Sequence, residues 1–484
     1  MTNRGSQLIF AILITTLVSV LGSASSGLVT VEIKKSKEKV AAEKAFEIAE
    51  AGIEYYRWHL AHVPDDFQDG TGAPGPYIHD FKDASGAVIG RYSLNIAPPQ
   101  SGSTVVAVES TGFLLDNPNR KRKIAAKFGI PSLSSYAVVA NDVMRFGSGT
   151  EVFGPIHSNN GIRFDGLTHN LITSTVSQYD DPDSDDCNGN LSFGVHTCRT
   201  PADPRPPASV PARTDVFQVG RDFPAPQIDF NGITTDLVNM QTLSLANGLY
   251  LSGSSALGYH IRFNADDTMN IYRVTAMAFC RYRQGAWRDY PNIYSIGAES
   301  SFILNGRSSL NYPLPANGII FAEDDLWVDG QINTARVTVV AAREPLASGN
   351  ASIIINNDLL YTNYDGQDAV GLIAQTDISV GFYSDTDLRI DAALIAQRGR
   401  VGRYYYQPRS ASYQYNPAGC RANIWKNSIT SFGSITTNRR YGFAYTDGTG
   451  YNLRTLNFDS NLTFAPPPSF PTTGQYTLLS WEEK

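Results

Sequence analysis

Residues 1–27 read MTNRGSQLIFAILITTLVSVLGSASSG, and residues 31–60 read VEIKKSKEKVAAEKAFEIAEAGIEYYRWHL. The first stretch holds an unbroken apolar run over residues 8–21. The second lacks proline, is rich in Ala, Glu and Lys, and repeats apolar residues at helical spacing. The repeated positions are Phe46, Ala49, Ile53, Tyr56 and Leu60. Together the two stretches predict one helix over residues 6–62, with a length on the order of 85 Å.

The predicted helix has two halves of different character. Residues 8–31 are apolar on all sides, and residues 32–62 are amphipathic, with Lys and Glu on the face opposite the apolar stripe. An apolar segment of this length can cross a bilayer core of about 30 Å. The front half is therefore expected to be a transmembrane segment, and the back half to pack under a folded head.

Two other interpretations of the apolar run remain open. Gly22, Ser23 and Ala24 supply the small residues of a signal-peptidase site, so the run could be a secretory signal that is removed. Lysines after the run also outnumber Arg4 before it, which by charge alone would place the head in the cytoplasm. We favour a retained anchor with an extracytoplasmic head, because the helical pattern continues without a break beyond Ala24.

The N-terminal region resembles that of type IV pilins. Arg4-Gly5 stands before the apolar run as in a prepilin leader, and AEAG at residues 49–52 is similar to the helix signature of PilX-type minor pilins. The resemblance implies a leader at residues 1–5 that prepilin peptidase removes between Gly5 and Ser6. It also implies assembly from the cytoplasmic membrane into a surface filament, with other pilin subunits and the pilus assembly machinery as partners.

Phe10 departs from the family pattern, because most pilins carry Glu at the fifth residue of the mature chain. A carboxylate in lipid is costly and is tolerated in pilins where a neighbour's terminal amine neutralises it. Its absence favours a minor, tip or initiating subunit over a major one. The resemblance further implies that filament packing uses Phe10, Phe46, Ala49, Ile53 and Tyr56.

The rest of the chain is predicted to be mainly β. It has 484 residues, 42% of them hydrophobic, with 41 Gly, 25 Tyr and 23 Phe, and short Val/Ile/Thr runs separated by Asn-Gly and Asp-Gly turns. The formal net charge is −7 and no basic stripe interleaved with aromatics occurs, so no nucleic-acid partner is expected. Strand-like runs in residues 63–130 predict a small antiparallel sheet, over about 88–130, that packs on the helix.

An internal repeat begins after Pro131. GPIHSNNGIRFDG at 154–166 matches GIIFAEDDLWVDG at 318–330, with apolar positions coinciding at Ile156/Ile320, Ile162/Leu326 and Phe164/Val328. GLIAQTDISVG from Gly371 and AALIAQRGRVG from Ala392 are further copies, the last displaced by one residue. Stacked units of this kind predict a parallel β-solenoid-like domain over residues 131–465. Residues 176–226 are expected to be a surface insert, and residues 466–484 a C-terminal segment.

The sequence offers few candidates for chemistry. No catalytic or nucleotide-binding motif is present, so no enzyme activity, cofactor or metal is predicted. Asp181, Asp183 and Asp185 alternate as in calcium loops but lack the loop's Gly and distal Glu, which favours a solvated acidic loop. Cys187 and Cys198 are predicted to form a local disulfide, with free buried thiols as the alternative, whereas the spacing of Cys280 and Cys420 decides nothing.

Two functional classes follow. The favoured one is a non-catalytic pilus subunit whose head is an adhesive or a spacer, with a possible surface or glycan ligand. Residues that could stack on sugars, or cap the coil, are Tyr404, Tyr405, Tyr406, Tyr413 and Tyr415 with Arg403 and Arg409. The alternative is a β-helix protein, anchored or secreted, that binds or acts on polysaccharide. Its candidate acids are Asp324, Asp325 and Asp377, although the first two are expected on opposite strand faces.

Overall fold

The structure, a computed structural model, describes residues 4–100, 102–183, 187, 191–230 and 233–484. The chain divides into two compact units. Residues 1–100, 105–130 and 475–484 form one, here called the helix–sheet unit, and residues 101–104 and 131–474 form the other, the coil unit. The predicted fold class is confirmed: a long N-terminal helix, a small antiparallel sheet, and a large domain of mainly parallel strands.

The helix–sheet unit contains one helix and one five-stranded antiparallel sheet. Its elements in chain order are α1 (Arg4–His62), β1 (Tyr77–Lys82), β2 (Val88–Ala97), β3 (Val105–Leu114), β4 (Lys121–Gly129) and the last strand of the chain (Thr477–Glu483). The strands are adjacent in that order, and the last strand pairs with β4. The sheet is therefore larger than predicted at both ends, because it begins at Tyr77 and takes its fifth strand from the C-terminal segment.

The back half of α1 packs on this sheet through small residues. Gly52 lies against Ser110 and Tyr92, and a Cβ there would overlap both side chains. Gly112 of β3 faces the helix in the same way, and a Cβ there would overlap the backbone of Ala45 and Ala49. The AEAG sequence thus lets the helix backbone approach β3 closely, as glycine does where two backbones meet.

The coil unit is built from short strands. They are β5 (Val138–Ala140), β6 (Met144–Phe146), β7 (Thr150–Phe153), β8 (Ile156–Ser158), β9 (Ile162–Phe164), β10 (Leu167–Thr168), β11 (Ile172–Ser174), β12 (Gln178–Tyr179), β13 (Ser192–Phe193), β14 (Val195–His196), β15 (Arg221–Asp222), β16 (Leu249–Leu251), β17 (Tyr259–Phe263), β18 (Thr268–Met277), β19 (Arg281–Gln284), β20 (Ala286–Asp289), β21 (Ile296–Ser300), β22 (Ile303–Leu304), β23 (Arg307–Ser308), β24 (Tyr312–Pro313), β25 (Ile319–Ala322), β26 (Leu326–Ile332), β27 (Arg336–Ala341), β28 (Ile353–Tyr361), β29 (Ala369–Ala374), β30 (Ile378–Val380), β31 (Asp387–Ala396), β32 (Val401–Arg403), β33 (Gln414–Asn416), β34 (Trp425–Thr437) and β35 (Gly450–Phe458). The last strand of the chain is β36. One α-helix, α2 (Ile233–Asn247), and two short 3₁₀ turns, Cys420–Ile424 and Ser460–Thr463, accompany them.

Parallel pairing stacks these strands into a coil. One inward-facing row of side chains runs through the pairings of the main ladder and is buried throughout. Its members are Leu249, Ile320, Val339, Leu372, Leu394, Ile435, Val138, Ile156 and Ile172. Ile156 and Ile320, matched in the sequence repeat, therefore occupy the same row.

The repeat copy from Ala392, which is displaced by one residue in the sequence, pairs in register with the copy from Gly371. Leu372 of β29 lies opposite Leu394 of β31, and Ile378 of β30 lies opposite Val401 of β32. The corner between β31 and β32 is thus one residue longer than the corner between β29 and β30. The one-residue slip seen in the sequence lies in that corner and leaves the buried row intact.

The turns do not stack in chain order. Along the main ladder the strands follow the order β16, β25, β27, β29, β31, β34, β5, β8, β11, β15. The first turn of the domain, at β5, thus lies on its last turn, at β34. Asparagines at the adjoining corner link the same turns, since Asn141 Nδ2 donates to Asn438 Oδ1 at 2.9 Å and Asn159 Nδ2 donates to Asn141 Oδ1 at 2.8 Å.

The outward face of the main ladder is also buried. Side chains from β25, β27, β29 and β31, among them Phe321, Ile373 and Ile395, form a second apolar cluster. Leu237 and Met240 of α2 cover it together with residues such as Phe470 from the segment after β35. Since strands buried on both faces are apolar without alternation, these strands read as continuous hydrophobic runs.

Residues 176–226 differ from the predicted surface insert. Strand β14 pairs with β9, and β15 pairs with β11, so both belong to the coil. Val195 and Phe217 are fully buried. The coil unit also extends to Gly474, nine residues beyond the predicted boundary at 465.

Candidate functional site

The front half of α1 is exposed along its whole length. Every side chain over residues 6–40 is solvent-exposed in this chain, and Phe10 is 68% exposed. Within this part the apolar residues 8–31 are long enough to cross a membrane, whereas residues 32–40 carry Lys and Glu side chains. Such a surface is stable only in contact with lipid or with other proteins. This half of α1 is therefore the candidate membrane and assembly surface.

The prediction of filament contacts in the back half of α1 is wrong for three residues. Ala49, Ile53 and Tyr56 are 0%, 3% and 0% exposed and form the core between the helix and its own sheet. They cannot also contact a neighbouring subunit. Phe46 is half-buried and meets the Trp481 ring edge-on, with the ring centroids 5.9 Å apart. Of the predicted packing residues, Phe10 and Phe46 keep accessible surface.

The processing residues lie at the edge of the described chain. Residues 1–3 of the predicted leader lie outside the described residues, and α1 begins at Arg4. The backbone of Gly5 and Ser6 is helical. The predicted cleavage between Gly5 and Ser6 therefore stays a prediction.

All four cysteines form disulfides within the coil unit. Cys187 is bonded to Cys198, with the two Cα atoms 5.5 Å apart. Cys280 is bonded to Cys420, with Cα atoms 5.8 Å apart and a sequence separation of 140. The second bond joins the hairpin β19–β20 to the 3₁₀ turn before β34, a pairing that sequence spacing could not reveal.

The aromatic cluster lies beside the coil and not at its end. Tyr406 is buried against Phe382 of the β30 region, with ring centroids 4.7 Å apart. Arg403 is buried with it and donates to three backbone carbonyls, those of Phe382, Asn423 and Ile424. Most of the cluster is thus a small core around the Cys280–Cys420 bond. Tyr405 is the exception, because it is 46% exposed and its hydroxyl donates to Asp447 Oδ2 at 2.8 Å.

The candidate acids of the alternative function are structural. Asp324 and Asp325 were predicted to point to opposite faces of a strand, but this is wrong. They lie in the corner before β26, and both contact the guanidinium of Arg343. Arg343 Nη2 lies 2.5 Å from Asp324 Oδ1 and 3.0 Å from Asp325 Oδ2. Burial opposes ionisation of Asp324, but hydrogen bonds from Ser254 and Arg343 outweigh it and lower its pKa. A carboxylate held ionised in this way is a poor general acid.

Asp377 has a comparable place in the next corner of the coil. Its carboxylate accepts from the backbone N–H of Arg400 at 2.8 Å and from the Tyr404 hydroxyl at 3.0 Å. These bonds tie together the corners of two successive turns, since Asp377 precedes β30 and Arg400 precedes β32. The residue therefore shapes a corner, as Asp324 and Asp325 do.

The acidic loop is ion-paired where the structure describes it. Asp181 is buried beside His196 and Arg163, at 3.3 and 3.7 Å. Asp183 accepts hydrogen bonds from both terminal nitrogens of Arg440, at 2.9 and 2.7 Å. The prediction of a solvated loop is therefore wrong for these two residues, because protein side chains, among them Arg163 and Arg440, take up their carboxylates. Asp185 lies outside the described residues.

An open cleft lies at the corner of the coil where these ion pairs sit. Its volume is about 750 Å³, and its walls are the segment 440–452 and the corner 147–150. Five arginines line it: Arg145, Arg199, Arg400, Arg440 and Arg454. Two carboxylates, Asp165 and Asp183, and the rings of Tyr441, Tyr445 and Tyr451 complete the lining. Sequence patterns do not reveal this site, because its residues come from six separate parts of the chain.

Two of these arginines organise the cleft. Arg454 is buried and donates to the carbonyls of Tyr451 and Asn452, at 2.7 and 2.6 Å, and to Thr150 Oγ1 at 2.9 Å. Burial lowers its pKa. Arg440 is held by Asp183. Since Arg454 joins the corner of β7 to the start of β35, it fixes the two walls relative to each other.

Comparison with known proteins leaves the family open. No known protein family matches the sequence, and no curated protein matches it. Among solved structures, the competence-associated pilin ComZ from Thermus thermophilus is similar at 12% sequence identity, over 92% of this chain and 98% of that chain, with a TM-score of 0.28. This similarity is too low to assign this chain to a family or a function.

Proposed function

We propose that this chain is a pilin-like subunit of a type IV pilus or a related filament, held in the cytoplasmic membrane by α1 before assembly. The observation that carries the proposal is the division of α1. Its front half exposes an apolar surface over residues 8–31, whereas its back half packs into the core of a folded sheet. A removable signal peptide needs no such continuity with the core of the mature protein.

The disulfides support an extracytoplasmic coil unit. Disulfides persist in oxidising compartments and are rare in the cytoplasm. Both bonds of this chain lie in the coil unit, and one of them closes a long loop. We therefore place the coil outside the cytoplasm, against the orientation that the lysines after the apolar run would favour.

The copy number is proposed to be low. Phe10 offers no carboxylate to pair with a neighbour's terminal amine, so the subunit gains less than a major pilin from docking along a shaft. The coil unit alone spans residues 131–474, a bulk that suits a filament tip better than a packed array. We assign it a non-catalytic role as an adhesive or spacer head.

The proposal is tested by locating the protein on filaments. Antibody against the coil unit should label sheared filaments at one end, and subunit counting should give far fewer copies than of the main subunit. The matched control is a Phe10→Glu variant, which restores the usual charge and should raise the copy number along the shaft. Uniform labelling of the unaltered chain at main-subunit stoichiometry would contradict the low-copy role, and complete absence from filaments would contradict the pilin-like role.

A further inference from the structure

The cleft between the segment 440–452 and the corner 147–150 carries chemistry that the fold does not need. Arg199 and Arg400 both line this cleft, although they are far apart in the sequence. Arg199 Nη1 donates to the Gly166 and Asp215 carbonyls, at 3.4 and 3.2 Å, and Arg400 Nη2 donates to the Arg403 carbonyl and the Tyr445 hydroxyl, at 2.7 and 3.0 Å. A guanidinium has five N–H donors, so these bonds leave each arginine with donors to spare.

Aromatic rings border the cleft on the side of Arg400. Tyr445 lines it, and the exposed ring of Tyr405 stands beside Tyr445 with the centroids 4.9 Å apart. Arg400 itself lies over the Tyr404 ring, with its guanidinium carbon 5.6 Å from the ring centroid. The exposed tyrosine predicted to stack on sugars is thereby placed next to the arginine cleft.

The combination of groups indicates a class of ligand. Guanidinium forks match carboxylates in geometry as well as in charge. Tyrosine rings offer apolar faces with a polar edge, which suits the faces of sugar rings. Sugar hydroxyls need acceptors as well as donors. Asp165 already accepts from Arg163, Thr197 and Cys198, and Asp183 pairs with Arg440 and Arg145, so each carboxylate keeps about one of its four lone-pair positions for a ligand. The volume, about 750 Å³, lies in the range of small-ligand sites.

The mixed charge argues against a polyphosphate ligand. A nucleic-acid groove follows a phosphate backbone with positive charge and stacks bases on aromatics. Here the carboxylate of Asp183 lies in the middle of the arginines, 3.2 Å from Arg145 and 2.7 Å from Arg440. A ligand that carries separate carboxylates among many hydroxyls fits such a lining better than one with a charge on every unit.

We propose that this cleft binds an acidic oligosaccharide, one that contains uronate sugars. Arg199 and Arg400 hold the carboxylates, Asp165 and Asp183 accept from hydroxyls, and Tyr445 and Tyr405 cover a sugar face. The inference rests on the proposed function in one respect: a head displayed outside the cell meets surface polysaccharide. It turns the general adhesive role into a defined site and ligand class.

The test is calorimetric titration of the full chain in detergent with a galacturonate trimer and with a neutral trisaccharide. The unaltered chain should bind the galacturonate trimer and bind the neutral sugar at least ten times more weakly. Arg199→Gln and Arg400→Gln should each weaken galacturonate binding at least fivefold, and Arg400→Lys should fall between. Arg288→Gln, on the exposed strand β20, is the control and should bind as the unaltered chain does.

Several results would overturn the inference. They are the absence of galacturonate binding at millimolar concentration, equal binding of the neutral sugar, full binding by both arginine variants, or tighter binding of a DNA duplex than of galacturonate. Unchanged melting temperatures of the variants show that weaker binding is not unfolding. Because labelling on filaments is a separate readout, a chain that assembles but does not bind galacturonate contradicts this inference alone.

Discussion

Thr477 lies opposite Gly129 in the small sheet, and its hydroxyl donates to the Gly129 carbonyl at 3.2 Å, although the two residues are 348 positions apart in the chain. They begin β36 and end β4, which are neighbours in the sheet. Residues 131–474 of the coil unit are therefore an insertion between two adjacent antiparallel strands. Its entry and exit also pair with each other, since Thr473 N donates to the Pro131 carbonyl at 2.8 Å.

The first prediction is that the coil can be removed without unfolding the helix–sheet unit. Replacing residues 131–475 by a two-residue Asn-Gly turn should join β4 to β36 as an ordinary hairpin, with Ile130 opposite Tyr476. The shortened chain in detergent should keep its helical and β circular dichroism and unfold cooperatively.

The reciprocal piece supplies the control. Residues 131–474 alone should be a soluble β protein with a single cooperative melt, because the buried rows of the coil lie within that range. A helix-dominated or non-cooperative spectrum from either piece would show that the two units are not independent folding units.

The second prediction concerns the close approach of α1 to β3. Gly112→Ala places a methyl group against the backbone of Ala45 and Ala49, which cannot move without separating helix and sheet. We expect a loss of about 2–3 kcal/mol in the local opening free energy of β3, measured by hydrogen exchange. Glu50→Ala, on the exposed face of the same helix, should change it by less than about 0.5 kcal/mol. Equal effects of the two substitutions would be evidence against the packing described.

Much of this architecture could be predicted from local sequence patterns. The helix, the small sheet and the repeat at Ile156 and Ile320 follow from periodicity, because burial on one side imposes a regular spacing of apolar residues. The order of the coil turns could not be predicted. Each turn carries the same inward pattern, so nothing local shows that Val138 of the first turn lies against Ile435 of the last.

The third prediction is a pH dependence of stability centred on His260. Its ring lies between Glu299 and Asp329, with Nδ1 2.7 Å from Glu299 and Nε2 3.2 Å from Asp329. Burial disfavours the charged ring, but hydrogen bonds to the two carboxylates outweigh it and raise the pKa of His260 to about 9. Since this exceeds the value of about 6.5 in an unfolded chain, the stabilisation is complete below pH 6.5 and is lost as the pH rises through 9.

The measurement is the difference in unfolding free energy between the unaltered chain and His260→Gln at several pH values. That difference should be about 2–3 kcal/mol larger at pH 6 than at pH 10. Taking the difference cancels other groups that titrate in this range, such as Lys426, whose pKa burial lowers to about 8. A difference that does not vary with pH would mean that His260 is not charged in the folded chain.

The fourth prediction compares the two disulfides. Removing Cys280–Cys420 by a double Ser substitution should cost more unfolding free energy than removing Cys187–Cys198, because the closed loops span 140 and 11 residues. We expect about 5 kcal/mol for the long loop and about 3 kcal/mol for the short one. Urea unfolding of the coil unit checks this, and a larger loss for the short loop would contradict the loop-closure account.

The functional site was less predictable than the fold. Asp324 and Asp325 stood out as neighbouring acids, yet their shared partner, Arg343, is placed by the coil and not by any nearby motif. The cleft arginines Arg199 and Arg400 are 201 positions apart and carry no motif. Long-range stacking brings them together, and single-sequence patterns do not contain that information.

The pilin-like role requires that α1 from Ser6 onward stays in the mature protein and joins a membrane segment to the folded head. Mass spectrometry of the N-terminal peptide of the protein from its native membrane tests it most directly. The account predicts a mature chain that begins at Ser6, with residues 8–31 retained. A mature chain that begins at Ser25 would contradict it, because the apolar half of α1 would then be a discarded signal.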